Sequence, residues 1–511
     1  MKFLWNSKPD AGFKLDLAAN LTGSAWAMLV QLACVPLYIR FMGVESYGLI
    51  GFYWILQAML QVLDLGLSPT MNREMARYSV HPEKAGEARD LVRTLEVGYW
   101  TVGVAIGVVI VVAAPSIATH WIKAGSFPIR SIRQAVTLMG VLSFLQWPLS
   151  FYQSGLLGLR RQVLFNAIRI SQATIAYGGA ILVLWLFSPT VQAFFLWQAI
   201  ASAGQVLLVA TFLWKSLPPA DGAPRFDFSL MRGIWRFAAG VSGITVFALI
   251  LTQADKVISS KVFSLKVFGY YTLAGMFGTG LSLIIGSVFN AIYPRFTALA
   301  AVGDEEGLKH LYHFCTQLMA VLILPIAAML ALFSSEILLL WTRNAEVARS
   351  AGPIATILVL GTALSGLIVL PYTLQLAYGW TSITLKIAAF LTVLAVPAMW
   401  FMATHYGPVG VAFVWLGLHS ANLLLELPLT HRRLLRHEMS RWLFHDIVPP
   451  LLAVAAVAGL GRALIVGRMS PWATSASSSV VLFAALAAAT VVAPLIRRPF
   501  LAKIFSILDY A

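Results

Sequence analysis

The sequence predicts an all-α polytopic membrane protein with about fourteen transmembrane helices. Three observations predict it. Of 511 residues, 59% are hydrophobic and only 11% are charged, whereas a soluble domain carries about 25% charge. The apolar residues fall in continuous runs of membrane-spanning length rather than in the alternating ~10-residue pattern of barrel strands. The Lys and Arg residues are unevenly shared among the joints between runs.

The runs lie at roughly 18–39, 47–69, 95–114, 134–157, 163–187, 191–214, 237–258, 268–292, 315–336, 352–376, 382–403, 409–428, 447–466 and 475–495. The first is too long for a signal-peptide core and lacks a small-residue cleavage site, so it reads as the first span. An even count then places both termini in the cytoplasm. Of the 36 Lys and Arg residues, 24 fall on the expected inner joints, counting Lys386 at the edge of one, and nine on the outer ones. That bias follows the positive-inside rule, and a missed span would reverse every later joint. The net charge of +15 therefore sets orientation in a membrane, and no nucleic-acid partner is expected.

Several function classes are excluded. Cys34 and Cys315 lie in apolar runs with no second cysteine nearby, so neither marks a redox or metal site. There is no Gly-Lys pair for a P-loop and no Gly-x-Ser-x-Gly elbow. His310 and His313 share a helical spacing but lack a carboxylate set arranged for zinc, and His419 reads as an interior histidine. No cofactor, no metal and no enzyme activity are expected.

The chain divides into an N-terminal lobe (1–214, helices 1–6), a cytoplasmic linker (215–235), a C-terminal lobe (236–429, helices 7–12) and two final helices with a cytoplasmic tail (430–511). The linker carries Pro218, Pro219, Gly222 and Pro224, which stop helices. The lobes echo each other. An aromatic-Gly pair opens the second helix of each, in VESYGLIG and LKVFGYYTLAG, and a Pro then an Arg closes it, Pro69 with Arg73 and Pro294 with Arg295. YQSGLLGLRRQ (152–162) and YTLQLAYGWTS (372–382) form a second echo. Such repeats characterise secondary transporters.

The run VPLYIRFMGVESYGLIGFYWILQAMLQVLDLGLSPTMNREMARY, Val35 to Tyr78, resembles the N-terminal signature of the polysaccharide-transporter family. That family belongs to the multidrug/oligosaccharidyl-lipid/polysaccharide exporter superfamily. QADKVISSKVFSLKVFGYYTLAG (253–275) is similar to its second-half signature. The resemblance implies two six-helix lobes around a cavity, working by alternating access. It implies flipping of an undecaprenyl-diphosphate-linked repeat unit, such as an O-antigen unit, across a bacterial inner membrane. It also implies membrane lipids as surroundings, a final helix pair holding the polyprenyl tail, a polysaccharide polymerase and chain-length regulator as working partners, and a monomeric transporter.

Charges inside a bilayer face a cavity or a partner. Arg169 and Lys256 are placed to meet an anionic phosphate, for which the Arg fork is suited. Arg73, Arg295 and Lys386 are further cationic candidates for the substrate. Asp64, Asp255 and Glu426 are candidates for ion coupling, because a carboxylate in apolar surroundings holds its proton more tightly. Pro36, Pro148, Pro325, Pro371 and Pro397 fall inside runs and predict bends. Gln57, Gln61, Trp147, Tyr152, Gln153 and Gln253 are candidates for lining a sugar-sized cavity.

Three rivals remain open. A multidrug/cation antiporter would favour acidic groups in its cavity. A polyprenyl-linked glycan polymerase or ligase would use a large outer loop, but the longest outer joint, 115–133, has no acidic residue. A peptidoglycan-precursor flippase would share the lobes and the lipid carrier.

Overall fold

A computed structural model describes residues 11–64, 66–79, 81–220, 222–229, 252–380, 382–465 and 471–497. Among these residues no strand forms beyond an isolated bridge between Lys123 and Ser264. Ten described helices are long and apolar enough to cross a membrane.

Two of those helices exceed one crossing. The first, α1 (Ala11–Leu60), has 50 residues and α13 (Ser382–Arg433) has 52. At ~1.5 Å per residue each measures about 75 Å, against a ~30 Å hydrocarbon core. Each is broken by a glycine outside helical geometry, Gly43 with φ 79° and Gly407 with φ 66°. Glycine enters that region without the Cβ clash other residues meet. Each long helix thus supplies two membrane-length segments.

The expected second span, 47–69, needs correction. The helix ends at Leu60, a 3₁₀ turn covers Gln61–Asp64, and the separate helix α2 (Leu67–Tyr78) follows. Pro69 sits in the first turn of α2, where its missing N–H costs no helical bond. The expected seventh span, 237–258, falls mostly on 237–251, outside the described residues; 252–262 are helical and form α8.

The chain forms two compact units, 1–249 with 264–266, and 250–263 with 267–511. The first contains α1, α2, α3 (Ala85–Ser116), α4 (Ile129–Gly158), α5 (Gln162–Ala173), α6 (Gly179–Leu186) and α7 (Val191–Ser216). A π-helical turn, Thr174–Gly178, joins α5 to α6. Helix α4 packs against α2, α3 and α7, which explains why Ile132, Val136, Met139 and Phe151 are fully buried. Val104, Val108 and Val112 of α3 recur every fourth residue and are 50%, 55% and 74% exposed. Such an apolar stripe belongs in lipid, not in water. The irregular stretch after α7 is laced to α3: the Arg225 backbone N–H donates to Asp90 (2.6 Å), the Asp227 N–H to Thr94 (2.9 Å) and Arg89 to the Pro218 carbonyl (3.2 Å). Hydrogen bonds from Ser229 hold the exposed Asp227 carboxyl below its usual range.

The second unit contains α8, α9 (Leu265–Val302), α10 (Glu305–Leu332), α11 (Ser334–Thr342), α12 (Ala345–Ala377) and α13. The short turn α14 (Met439–Arg441), a π turn at Trp442–Ile447, α15 (Val448–Ile465) and α16 (Pro471–Val492) follow. Helix α12 packs against α10, α11 and α13, and α10 against α15 and α16. Ring contacts seat α9, with Phe289 stacked on Tyr372 (6.2 Å) and Phe296 against Tyr312 (6.3 Å). Pro36, Pro148, Pro325, Pro371 and Pro397 all lie inside helices.

Candidate functional site

The first unit encloses a cavity of about 270 Å³. Helix spacing places its walls. Gln31, Val35 and Tyr38 form one stripe of α1 before Gly43. Tyr47, Ile50, Trp54 and Gln57 form a stripe after it, three or four residues apart, so they share a face, and Tyr53 flanks it. Leu142 and Gln146 come from α4, Tyr177 from the π turn, and Phe194, Phe195 and Gln198 from α7. The lining thus holds four glutamines and four tyrosines but no Asp, Glu, Lys, Arg or His.

Hydrogen bonds fix the polar lining. Gln57 Nε2 donates to the Tyr53 hydroxyl (2.6 Å) and to Ser143 (3.1 Å). The Tyr53 hydroxyl donates to Gln146 Oε1 (2.7 Å), whose Nε2 donates to Ser202 (3.0 Å). The π turn frees carbonyls from the helical ladder, and three side chains take them. Trp197 Nε1 donates to Ile175 (3.0 Å), Gln198 Nε2 to Ala176 (3.1 Å) and the Tyr38 hydroxyl to Tyr177 (2.7 Å). π turns are rare and recur at functional sites.

The charges of this unit lie elsewhere. Asp64, at the end of the 3₁₀ turn, accepts from the Tyr99 hydroxyl (2.5 Å), the Ser68 hydroxyl (2.7 Å) and the Ser68 backbone (3.1 Å). Arg73 binds Glu74 (2.7 Å). Arg169 donates to the Ser24 hydroxyl (2.9 Å). Sequence reasoning missed Glu96, which is buried on α3 and accepts from Tyr152 (2.7 Å), Trp214 (3.1 Å) and Arg93 (2.9 Å).

In the second unit, Asp255 is buried and accepts from the Tyr271 hydroxyl (2.8 Å), while its Oδ1 finds no partner among the described residues. Lys256 turns back on its own helix, donating to the Thr252 carbonyl (3.1 Å) and to Gln253 (3.3 Å). Glu426 is buried and accepts from Gln375 (3.1 Å) and Thr384 (3.3 Å). Lys386 is exposed on α13. Arg295 is exposed at an apolar groove of about 280 Å³ between α9 and α10, walled by Val288, Ile292, Leu311, Phe314 and Leu318. Of the eight charged candidates, three lie in the first unit and five in the second.

Of the residues suggested for a sugar-sized cavity, Gln57 lines the one described; Trp147 and Tyr152 are buried against α3 instead. The missed signal was the stripe from Tyr47 to Gln57, polar and aromatic at helical spacing within an apolar run. A further missed cluster joins His313 to Asp446 (2.5 Å) and Glu438 (3.0 Å), with Gln317 donating to Asp446 (2.8 Å). His313 and Asp446 are fully buried. Sequence cannot show that α10 meets the π turn at 442–447, over 120 residues away.

Comparison with known proteins agrees with this architecture. Residues 37–343 match the profile of a family described as "Polysaccharide biosynthesis protein". A Shigella flexneri protein described as "Putative O-antigen transporter" is 21% identical over 398 residues, covering 78% of this chain and 92% of that one. Among solved structures, the lipid II flippase MurJ in its inward closed conformation is similar with a TM-score of 0.69 and 12% identity, over 93% of this chain and 98% of that one. An inward-facing multidrug resistance transporter of the MATE family is similar with a TM-score of 0.62 and 15% identity, over 81% and 95%.

Proposed function

The chain belongs to the polysaccharide biosynthesis protein family, and from that premise we propose that this membrane transporter is a flippase for lipid-linked glycans. It moves an undecaprenyl-diphosphate-linked repeat unit, of the O-antigen or another surface polysaccharide, from the cytoplasmic to the periplasmic leaflet of a bacterial inner membrane. It works by alternating access with both termini cytoplasmic, and one or more of Asp64, Asp255 and Glu426 couples the movement to an ion. The division into lobes 1–214 and 236–429, the linker 215–235 and the final pair of helices within 430–511 belongs to the same reading, as does the count of fourteen spans.

The observation that carries this reading is the groove at Arg295. A lone guanidinium beside an apolar trough suits an amphiphile with an anionic head and a hydrocarbon tail. The tail lies along Val288, Ile292, Leu311 and Leu318, and the guanidinium takes a phosphate oxygen. Arg73, Arg169, Lys256 and Lys386 are the further cations along the path of the diphosphate. The test is an Arg295→Ala variant expressed at wild-type level in cells lacking the chromosomal copy. Surface polysaccharide is expected to fall at least tenfold while lipid-linked repeat units accumulate, with partial recovery in Arg295→Lys. Wild-type polysaccharide in Arg295→Ala would remove the groove from the pathway.

A further inference from the structure

The reading above concerns the lipid and its phosphates, and leaves the cavity of the first unit without a role. We propose that this cavity is a binding site for one uncharged sugar ring. Its physiological ligand, a residue of the transported glycan, rests on the flippase reading; its chemistry does not.

Size sets the first limit. About 270 Å³ lies just under the ~300–1,000 Å³ of pockets for drug-sized ligands. One pyranose ring fits, whereas a whole repeat unit does not.

The lining sets the second. A sugar offers hydroxyls that both donate and accept, and C–H faces that lie on aromatic rings. A glutamine amide carries two donors and an acceptor with two lone pairs, so it pairs with hydroxyls of either sense. Gln31 makes no hydrogen bond among the described residues. Gln57, Gln146 and Gln198 are each held by a bond to the protein yet retain unused capacity. Trp54 supplies a ring face beside them, itself set edge-on by Tyr47 (6.0 Å). The Gln57–Tyr53–Gln146–Ser202 chain and the π turn hold these groups in place before a ligand arrives. That preorganisation lowers the ordering cost of binding.

Other occupants fit less well. A hydrocarbon tail would strand the Gln31 amide and the unused groups of the other three in an apolar filling, at a cost of a few kcal/mol for each group left unpaired. A hexuronate or phosphate would meet no cationic side chain in the lining; Arg169, whose charge reaches Tyr177, lies outside that lining and is engaged by the Ser24 hydroxyl. A lipophilic cation would find ring faces but no carboxylate.

Position adds a functional sense. The Glu45 carboxylate accepts from Ser126 (2.6 Å), so the joints near Gly43 and at 122–128 share one end of this unit. The cavity begins four residues past Gly43, at Tyr47, and extends to Gln57, about 20 Å into the unit at ~1.5 Å per residue. In the orientation set by the basic residues that end is periplasmic. The site therefore holds a sugar on the release side of transport.

The test uses the full chain in lipid nanodiscs free of glycoside detergent, with saturation-transfer NMR. The probes are the methyl glycosides of glucose, galactose and N-acetylglucosamine, methyl glucuronide, and tetraphenylphosphonium. At least one neutral glycoside is expected to receive saturation, with the glucuronide and the cation weaker by fivefold or more. Gln31→Leu and Tyr177→Phe, two changes that break no described side-chain bond, are expected to cut the neutral signal at least fivefold with the thermal midpoint unchanged. No transfer to any neutral glycoside, equal transfer in the variants, or stronger transfer to the glucuronide or the cation would overturn the site. Export separates the two readings. If sugars bind as described but deletion of the protein leaves surface polysaccharide intact, the flippase reading fails and the site stands. If Arg295→Ala abolishes export while both cavity variants bind sugar and export like wild type, the site assignment fails and the flippase reading stands.

Discussion

The cavity of the first unit and the His313 cluster of the second deal with buried polarity in opposite ways. Around His313 every polar group is consumed. Its two ring nitrogens face Asp446 and Glu438, Gln317 fills the other oxygen of Asp446, and the backbone N–H of Leu495 donates to Gln317 (2.9 Å). Both ring nitrogens and both Asp446 oxygens are engaged, so the cluster binds its polar groups to each other and leaves nothing over. Around Gln57 no group is ionised at neutral pH, and donors and acceptors exceed the bonds made. Charge inside a bundle is expensive and is matched at once by the fold. Neutral amides cost less to leave open, so they are the groups a protein can spare for a ligand.

The sharpest way to break this contrast is to open the closed cluster. His313→Ala leaves Asp446 buried without its His313 partner, and removal of one partner of a buried pair costs about 3–5 kcal/mol. We expect the largest loss of thermal midpoint of any single change discussed here, with α14 to α16 loosened first in hydrogen exchange. His313→Gln restores a donor and should recover part of the loss. A midpoint within error of wild type would mean that the cluster holds nothing together. Glu96→Leu comes second. It strands the Tyr152 hydroxyl and the Trp214 indole N–H, and unpaired buried donors cost about 1–3 kcal/mol each. A loss of about 2–3 kcal/mol in nanodisc unfolding is expected, with Glu96→Gln between the two.

The sequence carried the helical class and the positions of most long apolar helices because both depend on local composition: apolar run length, and glycine and proline at the joints. The break inside the expected span 47–69 is a 3₁₀ turn at Gln61–Asp64 followed by Gly66 at φ 75°. Pairing was not legible. Asp64 meets Tyr99, Glu96 meets Trp214, and Arg169 meets Ser24 across 35, 118 and 145 residues. Such contacts depend on which helices pack together, which periodicity does not specify. Charge drew attention in the sequence because it is rare in a membrane, yet Asp64, Arg73 and Glu426 are each engaged by a partner within their own unit. The cavity was overlooked because glutamine and tyrosine are unremarkable one at a time, and only their shared helical face sets them apart.

Two smaller effects test where the boundary between closed and open lies. Tyr99→Phe removes the 2.5 Å bond to Asp64 but leaves both Ser68 bonds. A bond to a charged acceptor is worth about 1.5 kcal/mol or more, so a midpoint loss near that size is expected. No loss would mark Asp64 as open rather than closed, and would strengthen it as the residue that exchanges a proton during transport. Gln31→Leu lies at the other extreme. Its amide has no bond among the described residues to lose, and a leucine of similar length sits well among Val35, Tyr38 and the phenylalanines of α7. Stability should change by less than about 0.5 kcal/mol, or rise slightly. A loss above about 1 kcal/mol would mean that Gln31 already supports the fold, and the cavity would then differ from the His313 cluster in charge alone, not in openness.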